Sequence, residues 1–135
     1  MTDQRRQMQI GEVAERTGLS LRTIRHYEDV GLVMPSARSK GGFRLYTELD
    51  VERLMVIRRM KPLDFSLDEM RELLEITDRL AATEEPPTGE ERERLRERLD
   101  AYRMVADARC EKLRAQLMAA EDFATTLHRK LDAAR

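Results

Sequence analysis

The chain has 135 residues, with 25 Lys or Arg against 26 Asp or Glu, and its formal net charge is -1. Aromatic residues make up 4% of the sequence, Trp is absent, and charged residues reach 38%. Such a composition excludes a second large core and favours one small domain followed by a long solvated helix. A single Cys excludes an intrachain disulfide. No signal peptide or bilayer-spanning apolar run is visible, which predicts a cytoplasmic protein with no membrane partner.

Positive charge is concentrated in one part of the chain. Residues 22–61 hold nine Lys or Arg against five Asp or Glu, whereas residues 76–135 hold twelve against thirteen. A local basic excess in a chain without a net positive charge is typical of a surface that binds nucleic acid.

The N-terminal segment predicts a short helix. Residues 1–8 are polar and are predicted to be frayed. Ile10, Val13 and Ala14 have the spacing of a buried helical face, and Gly18 supplies a C-terminal stop.

A second short helix follows immediately. Ser20 is a favourable N-cap, and Leu21 and Ile24 are predicted to point inward, which leaves a basic outer face. Gly31 ends this helix. Two short helices joined by a tight turn predict a helix-turn-helix whose second helix is the recognition helix.

Residues after the recognition helix predict a hairpin. Pro35 prevents the helix from resuming, and residues 39–42 are a turn signal between extended stretches. Residues 43–46 alternate in period two, with Leu45 and Tyr46 predicted to pack against the core. We interpret this hairpin as a wing.

Two further helices are expected to complete the domain. Thr47 caps the third, Lys61–Pro62 ends it, and Ser66 with Glu69 forms a capping box for the fourth. Their predicted inward positions are Val51, Leu54, Met55, Ile57, the stem of Arg58, Met70, Leu73 and Leu74.

The C-terminal half predicts a coiled coil. We expect a DNA-binding domain at 9–80, a linker at 81–90 and a dimerisation helix at 91–131 that starts at Thr88 or Gly89. The helix carries apolar or small residues in steps of four and three, with one stutter: Leu95, Leu99, Tyr102, Ala106, Cys110, Leu113, Leu117, Ala120, Ala124, Leu127 and Leu131. So narrow a stripe needs a partner helix, most simply that of a second copy.

The candidate DNA contacts lie on the recognition helix, the wing and the third helix. Arg22, Arg25 and His26 can reach base edges, where Arg is a bidentate donor to guanine. The remaining candidates contact phosphate, sugar or the minor groove: Thr23, Tyr27, Arg38, Lys40, Phe43, Arg44 and Lys61. Phe43 is equally consistent with packing inside the hairpin. Arg58 and Arg59 are either a second backbone contact or a solvated face.

No catalytic or metal-binding constellation is visible. The carboxylates alternate with Arg on helices, and Cys110 is isolated from His26 and His128, so we expect neither an enzyme nor a cofactor. Cys110 itself is interpreted as a packing residue, with a bond to its counterpart in a second copy as the alternative.

Several motifs together resemble the MerR family of bacterial transcriptional regulators, in register from about residue 9 to 75. They are residues 10–14 (IGEVA), 21–28 (LRTIRHYE), 31–32 (GL), 42–46 (GFRLY) and 65–67 (FSL). The resemblance implies a mainly α protein with a winged helix-turn-helix and an antiparallel coiled-coil dimer. It also implies binding to near-palindromic promoter DNA, which is bent and untwisted so that RNA polymerase can engage it.

The sequence departs from the usual family pattern at His26, where Tyr is frequent, at Phe43, where Tyr is usual, and at Asp64, where Gly is usual. No effector is identified. The alternative function is a helical interaction or architectural protein whose DNA contact is non-specific, which the weak overall charge and the large solvated helix also fit.

Overall fold

The computed structural model describes residues 6–135. They form two compact units, divided between Arg79 and Leu80. The elements in chain order are β1 (Met8–Gln9), α1 (Ile10–Thr17), α2 (Leu21–Asp29), β2 (Ala37–Arg38), β3 (Arg44–Tyr46), α3 (Glu48–Met60), a 3-10 turn (Lys61–Leu63), α4 (Leu67–Ala81) and α5 (Gly89–Ala133). The fold is therefore mainly helical with a small antiparallel sheet, as predicted. None of the described helices is long and apolar enough to cross a membrane.

The helix-turn-helix is built from local signals that the sequence carries. Gly18 ends α1 in the left-handed conformation, at φ 73°. Ser20 caps α2, and its Oγ accepts a hydrogen bond from the backbone N–H of Thr23 at 3.0 Å. These two residues turn the chain within three positions, because glycine adopts a positive φ without strain and the serine satisfies a free helix donor.

The wing is part of a three-stranded antiparallel sheet in the order β1-β3-β2. Met8 pairs with Tyr46, and Arg38 pairs with Arg44. Met8 is only 3% exposed, so the expectation that residues up to 8 are frayed is wrong for this residue. The same expectation for residues 1–5 concerns positions outside the described residues.

The core of the first unit lies where α1 contacts α2, α3 and β3. Its most buried side chains are Val13, Thr17, Ile24, Leu32, Val33, Tyr46, Leu54, Ile57 and Ile76. Leu21, which was predicted to point inward, is 40% exposed. It occupies the first position of α2, and the burial of that helix is carried by Ile24 and Tyr27 one turn later.

The connection between α3 and α4 is a tight turn. Pro62 lies in the 3-10 turn that ends α3, and Asp64 follows with a left-handed backbone at φ 59°. Ser66 and Glu69 then form the predicted capping box, with reciprocal backbone hydrogen bonds of 3.1 and 2.9 Å. Phe65 is buried beside this turn.

The second unit contains α5, a continuous helix of 45 residues. Thr88 caps it by accepting a hydrogen bond from the backbone N–H of Glu91 at 3.2 Å. Of the predicted coiled-coil stripe, Leu95 is buried, and the leucines from Leu113 to Leu131 are exposed.

Candidate nucleic-acid interface

The outward face of α2 presents two arginines. Ile24 and Tyr27 anchor the helix in the core, so Arg22, Arg25 and His26 lie on the opposite, exposed side. Arg25 and His26 follow Arg22 by three and four residues, and this spacing places the three side chains on one helical face. Among the described residues, neither Arg22 nor Arg25 has a hydrogen-bond or ion-pair partner. This is the arrangement expected of groups that bind something outside the chain.

Other arginines of the same unit contact the protein itself. Arg53 donates to the backbone oxygen of Leu32 at 2.6 Å and to the carboxylate of Asp78 at 3.0 and 2.9 Å. Arg58, a possible DNA contact by sequence, donates to the backbone oxygen of Thr17 at 2.8 Å at the C-terminal end of α1. These side chains satisfy carbonyl groups at or just beyond helix ends, a role that the sequence alone did not reveal.

A third such arginine lies on α4. Arg71 donates to the backbone oxygen of Val30, the residue that ends α2, and also to Asp68 at 3.2 Å. It joins α4 to the end of the recognition helix. Arg59, by contrast, is exposed and has no partner among the described side chains.

The tip of the wing is a tight turn with an exposed aromatic ring. The Ser39 N–H donates to the Phe43 oxygen at 2.8 Å, and Gly42 adopts φ 82°. Phe43 is 64% exposed, and an added Cβ on Gly41 would approach its ring to 3.2 Å. The ring therefore covers the turn without being enclosed in a core. Lys40 is exposed at the same tip.

The two wing arginines differ in their partners. Arg38 donates to the backbone oxygen of Gly42 across the hairpin at 3.2 Å. Arg44 donates to Oε1 of Glu28 at 2.6 Å, and the hydroxyl of Tyr46 donates to Oε2 of the same carboxylate at 2.8 Å. The hydrogen bond with Glu28 raises the pKa of Arg44 above its ordinary value.

Glu28 thus fixes the wing to the recognition helix. Its carboxylate lies in the last turn of α2 and accepts from two residues of β3. Burial, with the hydrogen bond to Glu28, raises the pKa of the Tyr46 hydroxyl. Our sequence interpretation assigned Arg44 to DNA and gave Glu28 no role. The partners are sixteen and eighteen residues apart, so no local pattern indicates them.

A groove of about 620 Å³ lies beside the recognition helix. Its lining comprises Thr23, His26, Tyr27, Lys61, Pro62, Asp64, Phe65, Leu67 and Met70. Tyr27 is 3% exposed, and its hydroxyl has no hydrogen-bond partner among the described residues. The groove thus brings together Thr23, Tyr27 and Lys61, three of the candidate phosphate contacts.

Comparison with known families decides the classification of the chain. The model of the MerR HTH family regulatory protein matches residues 8–76, and the model described as MerR, DNA binding, matches residues 51–130. The chain belongs to the MerR family. It is therefore a MerR-family transcriptional regulator with a DNA-binding helix-turn-helix, as the motifs predicted. Regulators of this family are generally not enzymes.

Relatives of known name match about half of this MerR-family chain. Nodulation protein NolA of Bradyrhizobium elkanii is 46% identical over 79 residues, 58% of this chain and 36% of the relative. The transcriptional regulator HmrR of Rhizobium leguminosarum bv. viciae is 48% identical over 67 residues, 50% of this chain and 51% of the relative. The chain thus spans between about a third and a half of these relatives.

Solved MerR-family structures cover more of the chain. PbrR691 of Ralstonia metallidurans CH34, crystallised with lead(II), is 35% identical with a TM-score of 0.54, over 87% of this chain and 86% of that one. The N-terminal part of the Bacillus subtilis multidrug transporter activator, MtaN, is 30% identical with a TM-score of 0.52, over 92% and 97%. Within residues 6–135, no group of three or more His, Cys, Asp or Glu side chains could hold a metal ion.

Proposed function

We propose that this protein is a dimeric regulator that recognises a specific promoter sequence and acts by bending and untwisting the DNA. The observation that carries the proposal is the contrast among its arginines. Arg53, Arg58 and Arg71 bind the protein's own carbonyl groups, whereas Arg22 and Arg25 on the recognition helix bind nothing within the described chain. Unpaired guanidinium groups on one exposed helical face suit the O6 and N7 atoms of guanine.

The remaining contacts divide into those that hold the DNA backbone and those that position the wing. Lys40 and Arg38 at the wing tip, with the exposed ring of Phe43, contact phosphate and sugar. Arg44 acts mainly through its ion pair with Glu28, which keeps the wing at a fixed distance from α2. These contacts supply affinity and register without reading sequence.

The groove beside α2 is proposed as a binding site for a DNA phosphate. Tyr27 lines it and has a buried hydroxyl without a partner among the described residues, Thr23 lies on the same helix, and Lys61 lies on the turn that follows α3. A buried hydroxyl without a partner costs about 1–3 kcal/mol. A phosphate oxygen that reaches this hydroxyl offsets that cost in the complex. Asp64 also lines the groove, so its carboxylate opposes the phosphate and moderates the affinity.

Tyr27→Phe tests the proposed phosphate-binding site, because it should change the affinity for DNA without lowering the stability of the free protein. The free protein should be as stable as the wild type, or more so, since the lost hydroxyl has no partner within the described residues. Its affinity for every duplex should fall, by about 1–2 kcal/mol for a lost hydrogen bond to a charged group. Unchanged DNA affinity would remove Tyr27 from the interface.

Two copies are required for a near-palindromic site. Two recognition helices enter successive major grooves, and both wings flank them, which offsets the cost of deforming the duplex. RNA polymerase is then an indirect partner that engages the distorted promoter. Fluorescence energy transfer between dyes at the ends of a cognate duplex should increase on binding. A straight, undistorted duplex in the complex would refute the distortion mechanism.

The decisive experiment compares the duplex upstream of the chain's own gene with a random duplex, across a salt series. Arg22→Ala or Arg25→Ala should cost about 1–3 kcal/mol on the cognate duplex and little on the random one. Lys40→Ala should weaken both duplexes alike and reduce the salt slope by about one. Arg129→Ala, an exposed arginine on α5, is the matched control and should change neither.

Equal losses on both duplexes for Arg25→Ala would exclude its base-reading role. A wild-type specificity ratio near one would instead favour the alternative function, a helical interaction or architectural protein with non-specific DNA contact.

A further inference from the structure

The chain has two histidines, and they lie in different units. His26 lies in the last turn of α2, and His128 lies on α5. Both side chains are exposed. Imidazole is the side-chain group whose charge ordinarily changes between about pH 5 and 8. Of the two, His26 is the one that lies on the candidate nucleic-acid interface.

His26 lines the groove that is proposed to bind a DNA phosphate. Its neighbour in that lining is Tyr27, and the centroids of the two rings are 6.0 Å apart at an interplanar angle of 43°. Tyr27 carries the buried hydroxyl that has no partner among the described residues. A phosphate that accepts a hydrogen bond from this hydroxyl therefore occupies the same groove as the imidazole.

The other ionised side chains that line the groove cancel each other. Lys61 contributes one positive charge and Asp64 one negative charge. The remaining lining residues among those described are apolar or carry a hydroxyl: Thr23, Tyr27, Pro62, Phe65, Leu67 and Met70. The groove is therefore neutral when His26 is neutral, and it carries one positive charge when His26 is protonated.

Charges on α2 itself act on His26 in both directions. Arg22 and Arg25 lie on the same exposed face and repel a protonated imidazole, whereas Asp29 follows His26 by three residues and attracts it. The last turn of α2 adds an attraction, because the C-terminal end of a helix carries partial negative charge. These opposing effects leave the groove charges, Lys61 and Asp64, as the groups that a protonated His26 supplements.

The charged groups of the neighbouring helices have other roles. At the start of α4, Asp68 pairs with Arg71 at 3.2 Å, and Glu69 accepts from the backbone N–H of Ser66 at 2.9 Å. Helix α1 also contacts α2, and its charged side chains do not line the groove: Glu12, Glu15 and Arg16. The charge of the groove thus depends on His26, Lys61 and Asp64.

We propose that His26 contacts the DNA phosphate in its protonated form, so that the affinity of this protein for DNA rises as the pH falls. The inference rests on the phosphate-binding groove of the proposed function and adds a residue and a pH dependence to it. A protonated imidazole donates from both ring nitrogens, whereas a neutral one donates from a single nitrogen. Helical spacing alone assigned His26 to base edges, and its place in the groove assigns it to the DNA backbone.

The direction of the pH dependence follows from proton linkage. A phosphate binds the protonated imidazole better than the neutral one, so the complex holds more protons than the free protein and the free DNA. Affinity is therefore gained as the pH falls. Each protonated imidazole that neutralises one phosphate should also make the salt dependence of binding steeper, by about 0.9 for each recognition helix that contacts the DNA.

The test measures binding of the whole chain to the duplex upstream of its own gene and to a random duplex, across a salt series at about pH 8 and about pH 6. For each recognition helix in contact, the wild type should bind both duplexes about two- to fivefold more tightly at the lower pH, the range of an exposed ion pair. Because phosphate contacts carry no sequence information, the specificity ratio should stay the same.

His26→Gln keeps a side chain that forms hydrogen bonds but cannot gain a proton, so its affinity should be equal at the two pH values. His128→Gln removes the histidine of α5 and is the matched control, which should keep the pH dependence of the wild type. Urea unfolding of each variant at both pH values checks that the proteins compared are folded.

Asp64→Asn tests the charge balance of the groove from the other side. Asparagine tolerates the left-handed backbone at this position, where φ is 59°. The variant should bind both duplexes more tightly than the wild type at each pH, because no carboxylate then opposes the phosphate. Its pH dependence should remain, since His26 is still present. Affinity that is unchanged or lower would contradict the charge balance on which the proposal depends.

Equal affinity of the wild type at the two pH values would overturn the proposal, as would a pH dependence that persists in His26→Gln or disappears in His128→Gln. A gain at low pH that is confined to the upstream duplex would show a contact with a base and would also overturn it. A specificity ratio near one at both pH values would refute the proposed regulator. A pH response on both duplexes that His26→Gln abolishes would still support this role of His26.

Discussion

Replacement of Glu28 should loosen both the wing and the recognition helix. Its carboxylate accepts from the Tyr46 hydroxyl at 2.8 Å and from Arg44 Nε at 2.6 Å. Tyr46 is fully buried, so Glu28→Ala leaves its hydroxyl without an acceptor, at a cost of about 1.5–3 kcal/mol for a hydrogen bond to a charged group. The Arg44 pair is partly exposed and adds little. We therefore expect Glu28→Ala to lower the free energy of unfolding by about 1.5–3 kcal/mol, mainly through the Tyr46 hydroxyl.

The measurement is urea unfolding followed by circular dichroism at fixed protomer concentration, because the proposed dimerisation would make stability concentration-dependent. Asp29→Ala, which removes the neighbouring carboxylate, is the matched control and should change stability by no more than about 0.5 kcal/mol. Tyr46→Phe alone should cost less than Glu28→Ala, since it leaves the ion pair with Arg44 in place.

A double-mutant cycle isolates the shared interaction. If Glu28→Ala costs as much in the Tyr46→Phe background as in the wild type, the hydroxyl and the carboxylate do not interact and the reasoning is wrong. A loss below about 0.5 kcal/mol for Glu28→Ala in the wild type would refute it directly.

Three further predictions follow from the same unit. Gly18→Ala should destabilise the protein by about 1–2 kcal/mol, because φ is 73° at this position. Gly11→Ala should instead stabilise it by about 0.5–1 kcal/mol, because Gly11 lies inside α1 with no atom within 4 Å of the added Cβ. Thermal unfolding of both variants separates backbone strain from a general effect of alanine. Met8→Ala should cost about 2–5 kcal/mol in urea unfolding, and Gln7→Ala, at an exposed position, should be neutral. Burial raises the pKa of the Tyr46 hydroxyl in the folded protein from its ordinary 10.0. The stabilisation by the protonated hydroxyl is therefore complete below pH 10 and is lost as the pH rises through the pKa of the folded state. Tyr46→Phe should therefore lose less stability than the wild type between pH 9 and 11, and equal losses would contradict this assignment.

The sequence alone determined the elements whose signals are local. Gly18 and Ser20 specify the turn between α1 and α2, Pro62 ends α3, and Ser66 with Glu69 begins α4. Each signal acts within about four residues, through a backbone conformation or a cap. The exposed arginines of α2 were also predictable, because helical spacing places them opposite Ile24 and Tyr27.

Tertiary structure decided which polar groups are already occupied. Arg44 was predicted to contact DNA, yet its partner is Glu28, and Arg58 binds the carbonyl group that ends α1. Met8 was predicted to be frayed, yet it is a buried strand residue opposite Tyr46. In each case the partner lies sixteen to forty-one residues away in the sequence, so no local pattern indicates it. For the two arginines, the sequence also does not show whether the positive charge meets a phosphate, a carboxylate or a carbonyl group. Composition and spacing therefore locate the basic surface, and only the packing of the helices and wing decides which arginines, such as Arg22 and Arg25, are left without a partner in the described chain.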